Sequence, residues 1–302
     1  AGHVAAGFGS TFLVGGVESA SSFLKGSSDG IEGTMNPVFD EAQSRSYAST
    51  NAGASAWTES QGLPDVYIAM GITAENVADV YSITREEMDQ FALSSQQKCE
   101  AAIARGFYAE EITPYTLNDG TIVSADDSPR PGTTLEGFAG LKPAFRPDGR
   151  VTAGNACPLN DGAAAVVIMS EEKASELSLT PLARIVGVAS TGLNPEIMGV
   201  GPIEAVRKVL AQTKLNMSDI DLVELNEAFA AQVIPCMREL DIDPEKLNVS
   251  GGAIALGHPF GMTGARIMTT LLHNMKERGS KYGLETMCVG GGQGMAMIVE
   301  AF

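Results

Sequence analysis

The strongest constraint on this chain is the alternation, through its second half, of short apolar runs with amphipathic periods. The runs at 163–169, 183–188, 222–225, 286–289 and 295–299 read as strands, the first of them buried. Between them Pro202 opens a helix with Ile203, Val206, Val209 and Leu210 on its apolar face. Phe229, Val233, Met237 and Leu240 mark a second helix. Ile267, Met268, Leu271, Leu272 and Met275 mark a third, which stops at Gly279. Strands alternating with helices predict the α/β class, with packed layers. The 302 residues suffice for two or three domains with sizeable cores.

The first half has a different texture. Residues 1–7 read as the end of a helix, and the apolar run at 11–14, closing on Gly15-Gly16, predicts a buried strand. From about Gly26 to Pro147 the chain is polar and rich in Ser, Gly and Pro. One helix stands out there. Thr84 and Glu87 form a capping box, Met88, Phe91, Cys99, Ala102 and Ile103 share a face, and Gly106 ends it. This stretch predicts an inserted loop domain.

The formal net charge of −17 repels nucleic acid and anionic membrane surfaces. Any phosphate-bearing ligand must be met by local donors. No apolar run is long enough to span a membrane. Cys99, Cys157, Cys236 and Cys288 are widely spaced and form no CxxC pair, which argues against a zinc site and for a reducing, cytoplasmic setting.

Three histidines are present. His273, beside Asn274, reads as a solvated helix residue, and His3 lies near the terminus. His258 follows Gly257 and precedes Pro259, so a rigid loop either presents it to a pocket or simply satisfies it within the loop. Cys288 ends a strand-like run before Gly290-Gly291-Gly292-Gln293-Gly294, where it is either a reactive thiol against a glycine turn or a small buried hydrophobe. Asn226, at a strand exit, either caps a helix or orients a group in a site. The glycine run leads into a strand-like segment and not a helix, which argues against a dinucleotide or P-loop fingerprint. One His, one Cys and one Asn at core edges suit acyl transfer through sulfur.

These segments carry a resemblance. NEAFA at 226–230, NVSGGAIALGHPFGMTGAR at 248–266 and CVGGGQG at 288–294 are similar to the three C-terminal signatures of the thiolase family. GGVES at 15–19, MGITAENVA at 70–78, VTAGNACPLNDGA at 151–163 and MGVGP at 198–202 add to them in order. The resemblance implies a layered fold of two similar α/β halves with an inserted loop domain. It divides the chain into 1–27, continued by about 155–179, for the first half, 28–154 for the loop domain and 180–302 for the second half. It implies acyl transfer between coenzyme A thioesters, with coenzyme A as substrate, no tightly bound cofactor, no metal, and a homodimer or homotetramer.

By motif, His258 matches the histidine that activates an acylated cysteine, and Cys288 the cysteine that acts as acid and base at Cα. Asn226 matches the residue holding water in one oxyanion hole, and Gly290 the backbone donor of the other. Arg130 matches a residue lying against adenine. Met70, Phe145, Ala153, Ala156, Met198 and Phe229 match the lining of the pantetheine tunnel. Two departures stand out: Cys157 replaces a frequent Ser, and Ala69 stands where biosynthetic members carry His, which points to a broader or degradative 3-ketoacyl-CoA thiolase. The acylated cysteine is expected shortly before GGVES. Cys99 is the first cysteine here, so about a quarter of a thiolase, with its nucleophile, is expected to be absent.

Overall fold

Residues 1–22, 33–51 and 57–302 are described by the structure, a computed structural model. The expected boundary at 27/28 lies outside them. A four-residue helix, α1 (Gly2–Ala5), leads to β1 (Thr11–Glu18). Helices α2 (Asp40–Asn51), α3 (Met70–Val80) and α4 (Arg85–Ala104) follow, then a minimal hairpin of β2 (Tyr115–Thr116) and β3 (Ile122–Val123), and α5 (Leu135–Ala139). From β4 (Gly162–Met169) the chain alternates through α6 (Glu171–Glu176), β5 (Ala183–Gly192), α7 (Gly201–Thr213), β6 (Leu222–Leu225) and α8 (Ala230–Glu239). It closes with α9 (Ala253–Leu256), α10 (Thr263–Arg278), β7 (Tyr282–Val289) and β8 (Gln293–Ala301).

The central sheet has the order β5-β8-β7-β6. β6 and β7 are parallel, from Leu222↔Gly283 to Leu225↔Thr286, while β8 runs antiparallel to both β7 and β5. All four residues of β6 are buried because both faces of the sheet are covered. Val223 and Leu225 point into a core shared with Val206 and Val209 of α7 and Val233 and Cys236 of α8. Leu222 points the other way, onto Met268, Leu271 and Met275 of α10. On its far side α10 meets a two-stranded ribbon of β1 and β4. The layers therefore run ribbon, α10, sheet, then α7 with α8.

Local rules explain the helix ends. Thr84 caps α4, with its side chain bonded to Glu87 N–H and the Glu87 carboxylate returning to Thr84 N–H. Gly279 ends α10 at φ +64, in the left-handed region that favours glycine.

Several expectations need correction. β1 does not stop at Gly15-Gly16 but continues to Glu18, and neither it nor β4 is buried through and through. Among the described residues each pairs only with the other, from Thr11↔Met169 to Glu18↔Gly162. Such a ribbon shields one face against α10, and Leu13, Val17 and Val167 on the outer face are more than half exposed. His273 is half-buried and Asn274 is fully buried, accepting a hydrogen bond from Ser250 Oγ. Ile103 faces solvent instead of sharing the apolar face of α4. The early half also holds α3, whose packing buries Glu75 and Asn76 together with Ala74 and Val77, so it shows no polar face to reveal its period.

Candidate active site

The parallel strands β6 and β7 end at the same edge of the sheet, the edge where ligands sit in α/β folds. Asn226 follows β6 directly, and its N–H donates to Thr286 O. It caps no helix, since α8 begins at Ala230 with Phe229 in the cap position. Its side chain is 1% exposed, and neither Oδ1 nor Nδ2 has a hydrogen-bond partner among the described residues. A buried amide in that condition costs about 1–3 kcal/mol, so the cap reading gives way to a group held ready for a ligand.

Two residues beyond Thr286 lies Cys288, packed against Met198, Ala228 and Phe229. Burial pushes its thiol up to about 11, so it stays protonated at neutral pH. Gly290 follows, facing open space where a Cβ would meet nothing within 4 Å. The turn behind it needs Gly291 and Gly292, both at positive φ.

His258 arrives from a different segment. Gly257, at φ +96, brings the backbone so near Asn160 that a Cβ would lie 2.1 Å from its Oδ1. The His258 ring stands edge-on to Phe260, at 4.9 Å, and its Nδ1 lies 2.6 Å from Thr263 Oγ1. Burial, and then the charge of Arg266, hold its pKa down to about 4, so the imidazole is neutral at pH 7. Beneath the loop, β1 approaches backbone to backbone. A Cβ on Gly16 would sit 1.8 Å from Gly261 O, and one on Gly261 would sit 2.3 Å from Val17 O. Glu18 accepts the Gly261 N–H at 3.2 Å.

The residues matched to coenzyme A contacts form one connected line. Arg130, at the exposed end, reaches Ala153 O through a guanidinium nitrogen at 3.4 Å. The same segment pairs with the start of α8, through the Ala156↔Phe229 bridge and the Ala230 N–H to Asn155 O bond. Phe229 meets Phe145 edge-on at 6.1 Å, and the Phe145 ring lies against Gly71, next to Met70. Through Met198 the line ends at Cys288. Cys157, whose N–H donates to Ala228 O, lies beside that end, and burial followed by the nearby Cys288 raises its thiol to about 12.

His258 joins this edge through Glu227, a residue the sequence reading used only as part of a motif. The carboxylate of Glu227 is 1% exposed. It accepts from Ser95 Oγ on α4 at 2.6 Å, from Asn248 Nδ2 at 2.7 Å and from Ile254 N–H, four residues before His258, at 3.1 Å. Burial raises its pKa and the three donors oppose that rise. Thr263 was also missed. Like Glu227 it was read only as part of a motif, and its own signal is its position five residues after His258, at a helix start.

A family description, the thiolase N-terminal domain, matches residues 1–172, and the thiolase C-terminal domain matches 179–301. An acetyl-CoA acetyltransferase of Thiocystis violacea is 53% identical over 235 residues, 76% of this chain and 60% of that protein. The chain thus spans about three fifths of that relative's length. The dimeric peroxisomal thiolase of Saccharomyces cerevisiae superposes with a TM-score of 0.87 at 37% identity, covering 100% of this chain and 72% of the other. Human mitochondrial 3-ketoacyl-CoA thiolase in complex with CoA superposes with a TM-score of 0.83 at 38% identity, covering 100% and 73%. Two domain matches that together reach nearly from end to end, on a shared fold, establish that this chain belongs to the thiolase family.

Proposed function

We propose that these residues serve acyl transfer between coenzyme A thioesters: thiolytic cleavage of a 3-ketoacyl-CoA, or the reverse Claisen condensation. The observation that carries the reading is the buried, unpartnered Asn226 amide at the same sheet edge as Cys288 and Gly290. In cleavage, a thiolate attacks the C3 carbonyl and the C2–C3 bond breaks, leaving the electron pair on C2. Cys288, held as S–H, gives its proton to C2 and so releases acetyl-CoA. The enolate oxygen formed on the way takes hydrogen bonds from the Asn226 side, through a water, and from His258. The oxyanion at C3 takes one from Gly290 N–H. His258, held neutral, draws the proton from the attacking thiol.

Coenzyme A is the substrate, with its adenine end at Arg130 and its pantetheine along Phe145, Met70, Ala153, Ala156, Phe229 and Met198. The CoA complex of the human relative supports this assignment. We further propose a homodimer or a dimer of dimers, supported by the dimeric yeast relative, and we place its activity in fatty acid metabolism in the cytoplasm. Among the described residues no helix is long and apolar enough to cross a membrane. The alternative reading is an acyl-CoA-binding thiolase-like subunit that performs no transfer.

Exchange of the acetyl-CoA methyl protons in D2O separates the two readings, because it needs Cys288 and a bound thioester but no acyl-enzyme. Acid–base function predicts exchange that speeds up from pH 7 to 9, as the Cys288 thiol ionises, and that is lost in Cys288→Ser. Binding without exchange would leave only the second reading, and no binding would refute both. Turnover of acetoacetyl-CoA would exclude the second reading outright.

A further inference from the structure

The neutral His258 can carry its proton on either ring nitrogen, and only the nitrogen without it can act as a base. Thr263, fully buried in the first turn of α10, decides which. Its Oγ1 lies 2.6 Å from His258 Nδ1 and 2.9 Å from Pro259 O. A hydroxyl has one proton and two lone pairs. A carbonyl oxygen only accepts, so an O···O approach of 2.9 Å is favourable only with the hydroxyl proton between the two oxygens. The lone pairs of Oγ1 then face the ring, and Nδ1 must bring the hydrogen. In the opposite tautomer the hydroxyl proton turns to Nδ1, and two oxygens confront each other lone pair to lone pair.

We propose that Thr263 is a positioning residue that fixes His258 in the Nδ1–H tautomer through a Pro259 O···H–Oγ1(Thr263)···H–Nδ1 relay, leaving the Nε2 lone pair as the base of the site. The catalytic meaning of this relay rests on the acyl-transfer reading, but the tautomer itself does not.

The loop is built to keep the relay rigid. Pro259 O also accepts the N–H groups of Met262 and Thr263, which hold the carbonyl in place. Pro259 itself packs against Gly162, where a Cβ would come within 2.7 Å of its Cγ. Phe260 stands against the ring and restrains its rotation. Because Pro259 O keeps two backbone donors, replacing Thr263 with the isosteric Val leaves no stranded carbonyl, which separates the tautomer effect from misfolding.

The test is long-range 1H–15N correlation on the full chain labelled at histidine. Only His3, His258 and His273 contribute, and His258→Gln identifies the His258 signals. The wild type is expected to show a pyrrole-type Nδ1 and a pyridine-type Nε2. Thr263→Ser keeps that pattern. Thr263→Val shifts the tautomer ratio toward Nε2–H by about tenfold, the weight of one net hydrogen bond, with the His3 and His273 signals unmoved as the control for folding. An Nε2–H pattern in the wild type overturns the proposal, as does an unchanged Nδ1–H pattern in folded Thr263→Val. Either result would stand whether or not the chain exchanges acetyl-CoA protons, so failure here is distinct from failure of the functional reading.

Discussion

Replacing Glu227 tests whether the strand edge and the His258 loop are one structure. Glu227→Ala strands three donors at once: Ser95 Oγ, Asn248 Nδ2 and Ile254 N–H. They are not equal. The Ser95 hydroxyl also accepts from Gly252 N–H and can rotate, and Asn248 Nδ2 keeps a second bond to Leu225 O, so each loses only part of its satisfaction. Ile254 N–H lies in the first turn of α9, where the helix itself offers it no acceptor. At about 1–3 kcal/mol for a buried stranded group, plus the void left by the side chain, the loss comes to roughly 3–5 kcal/mol. The relief of a desolvated charge offsets some of the gross total and is already counted in that range. Glu227→Gln keeps the shape. Its oxygen can still accept from Asn248, and Ser95 can reverse to accept from the new amide, so only Ile254 N–H is stranded and the loss is about 1–3 kcal/mol. Urea unfolding reports both values through Trp57, the single tryptophan, whose indole N–H is bonded to Glu196 at 2.6 Å. With total stabilities of about 5–15 kcal/mol, the Ala variant should show a clearly lowered midpoint. If Ala costs less than about 1 kcal/mol, or Gln costs as much as Ala, the clamp is not what joins these segments.

Gly71→Ala places a methyl 2.2 Å from the Phe145 ring, so the ring must leave the line that joins Arg130 to Cys288. Calorimetric titration with coenzyme A should then show affinity at least about tenfold weaker, close to that of Phe145→Ala, and unchanged affinity would remove Phe145 from the proposed tunnel. Gly261→Ala puts a methyl 2.3 Å from Val17 O, with backbone on both sides and no flexible side chain to yield, so the melting temperature should fall by several degrees. Glu285 sits near Arg266, and burial raises its carboxyl from 4.5 to about 8, with Arg266 opposing the rise. The folded state therefore holds this proton more tightly than the unfolded one. The Glu285 contribution to stability is fullest below pH 4.5, declines as pH climbs from 4.5 to about 8, and levels off above, at ~1.4 kcal/mol per pH unit at most. Glu285→Gln should flatten that slope and exceed the wild type in stability at pH 9 but not at pH 4.5. A parallel pH profile for the two proteins would contradict the burial argument.

The sheet and its helices were legible because their signals are local. In β6 four consecutive apolar or buried positions stand between turn residues, and in α10 the apolar spacing runs cleanly to a glycine stop. Burial of β1 was not legible, because an apolar run states only that a strand is favourable and says nothing of how many neighbours cover it. α3 was hidden for the opposite reason. Tertiary partners bury its acid: Glu75 accepts the N–H groups of Arg150 and Val151 and lies beside Arg146, so a sequence with no clear polar face forms a helix buried from Thr73 to Ala78. In the site, Asn226, Cys288 and His258 were each ambiguous alone. A cap, a buried hydrophobe and a loop histidine are local readings, and only non-local facts discriminate among them. For Asn226 the deciding fact is that Phe229 takes the cap position. For Glu227, whose partners Ser95, Asn248 and Ile254 lie on separate segments, nothing local announces the role.

The electrostatics of the site give these positions a common logic. In a chain of net charge −17, an anionic ligand meets repulsion almost everywhere. On the proposed reading the ligand's adenine end would lie at Arg130, in the exposed part of the molecule, while the thioester would lie at the buried end of the line. At that end the three groups facing the thioester are uncharged. Cys288 is held as a thiol, His258 as neutral imidazole, and Asn226 is an amide. A thiolate already present would repel a developing enolate, and a charged imidazolium could not take a proton. Neutral, fixed dipoles act on negative charge only when it forms, so they favour the transition state over the bound ester. Burial keeps the groups neutral, and glycine–backbone contacts of the kind made by Gly261 with Val17 make that burial tight enough. It follows that opening the loop should show first as a rise in the pKa of His258, before any loss of fold. NMR titration of Gly261→Ala is the measurement, with His258 expected to titrate closer to 6.5 than to 4. A His258 that still titrated near 4 in the folded variant would show that its neutrality does not depend on the clasp.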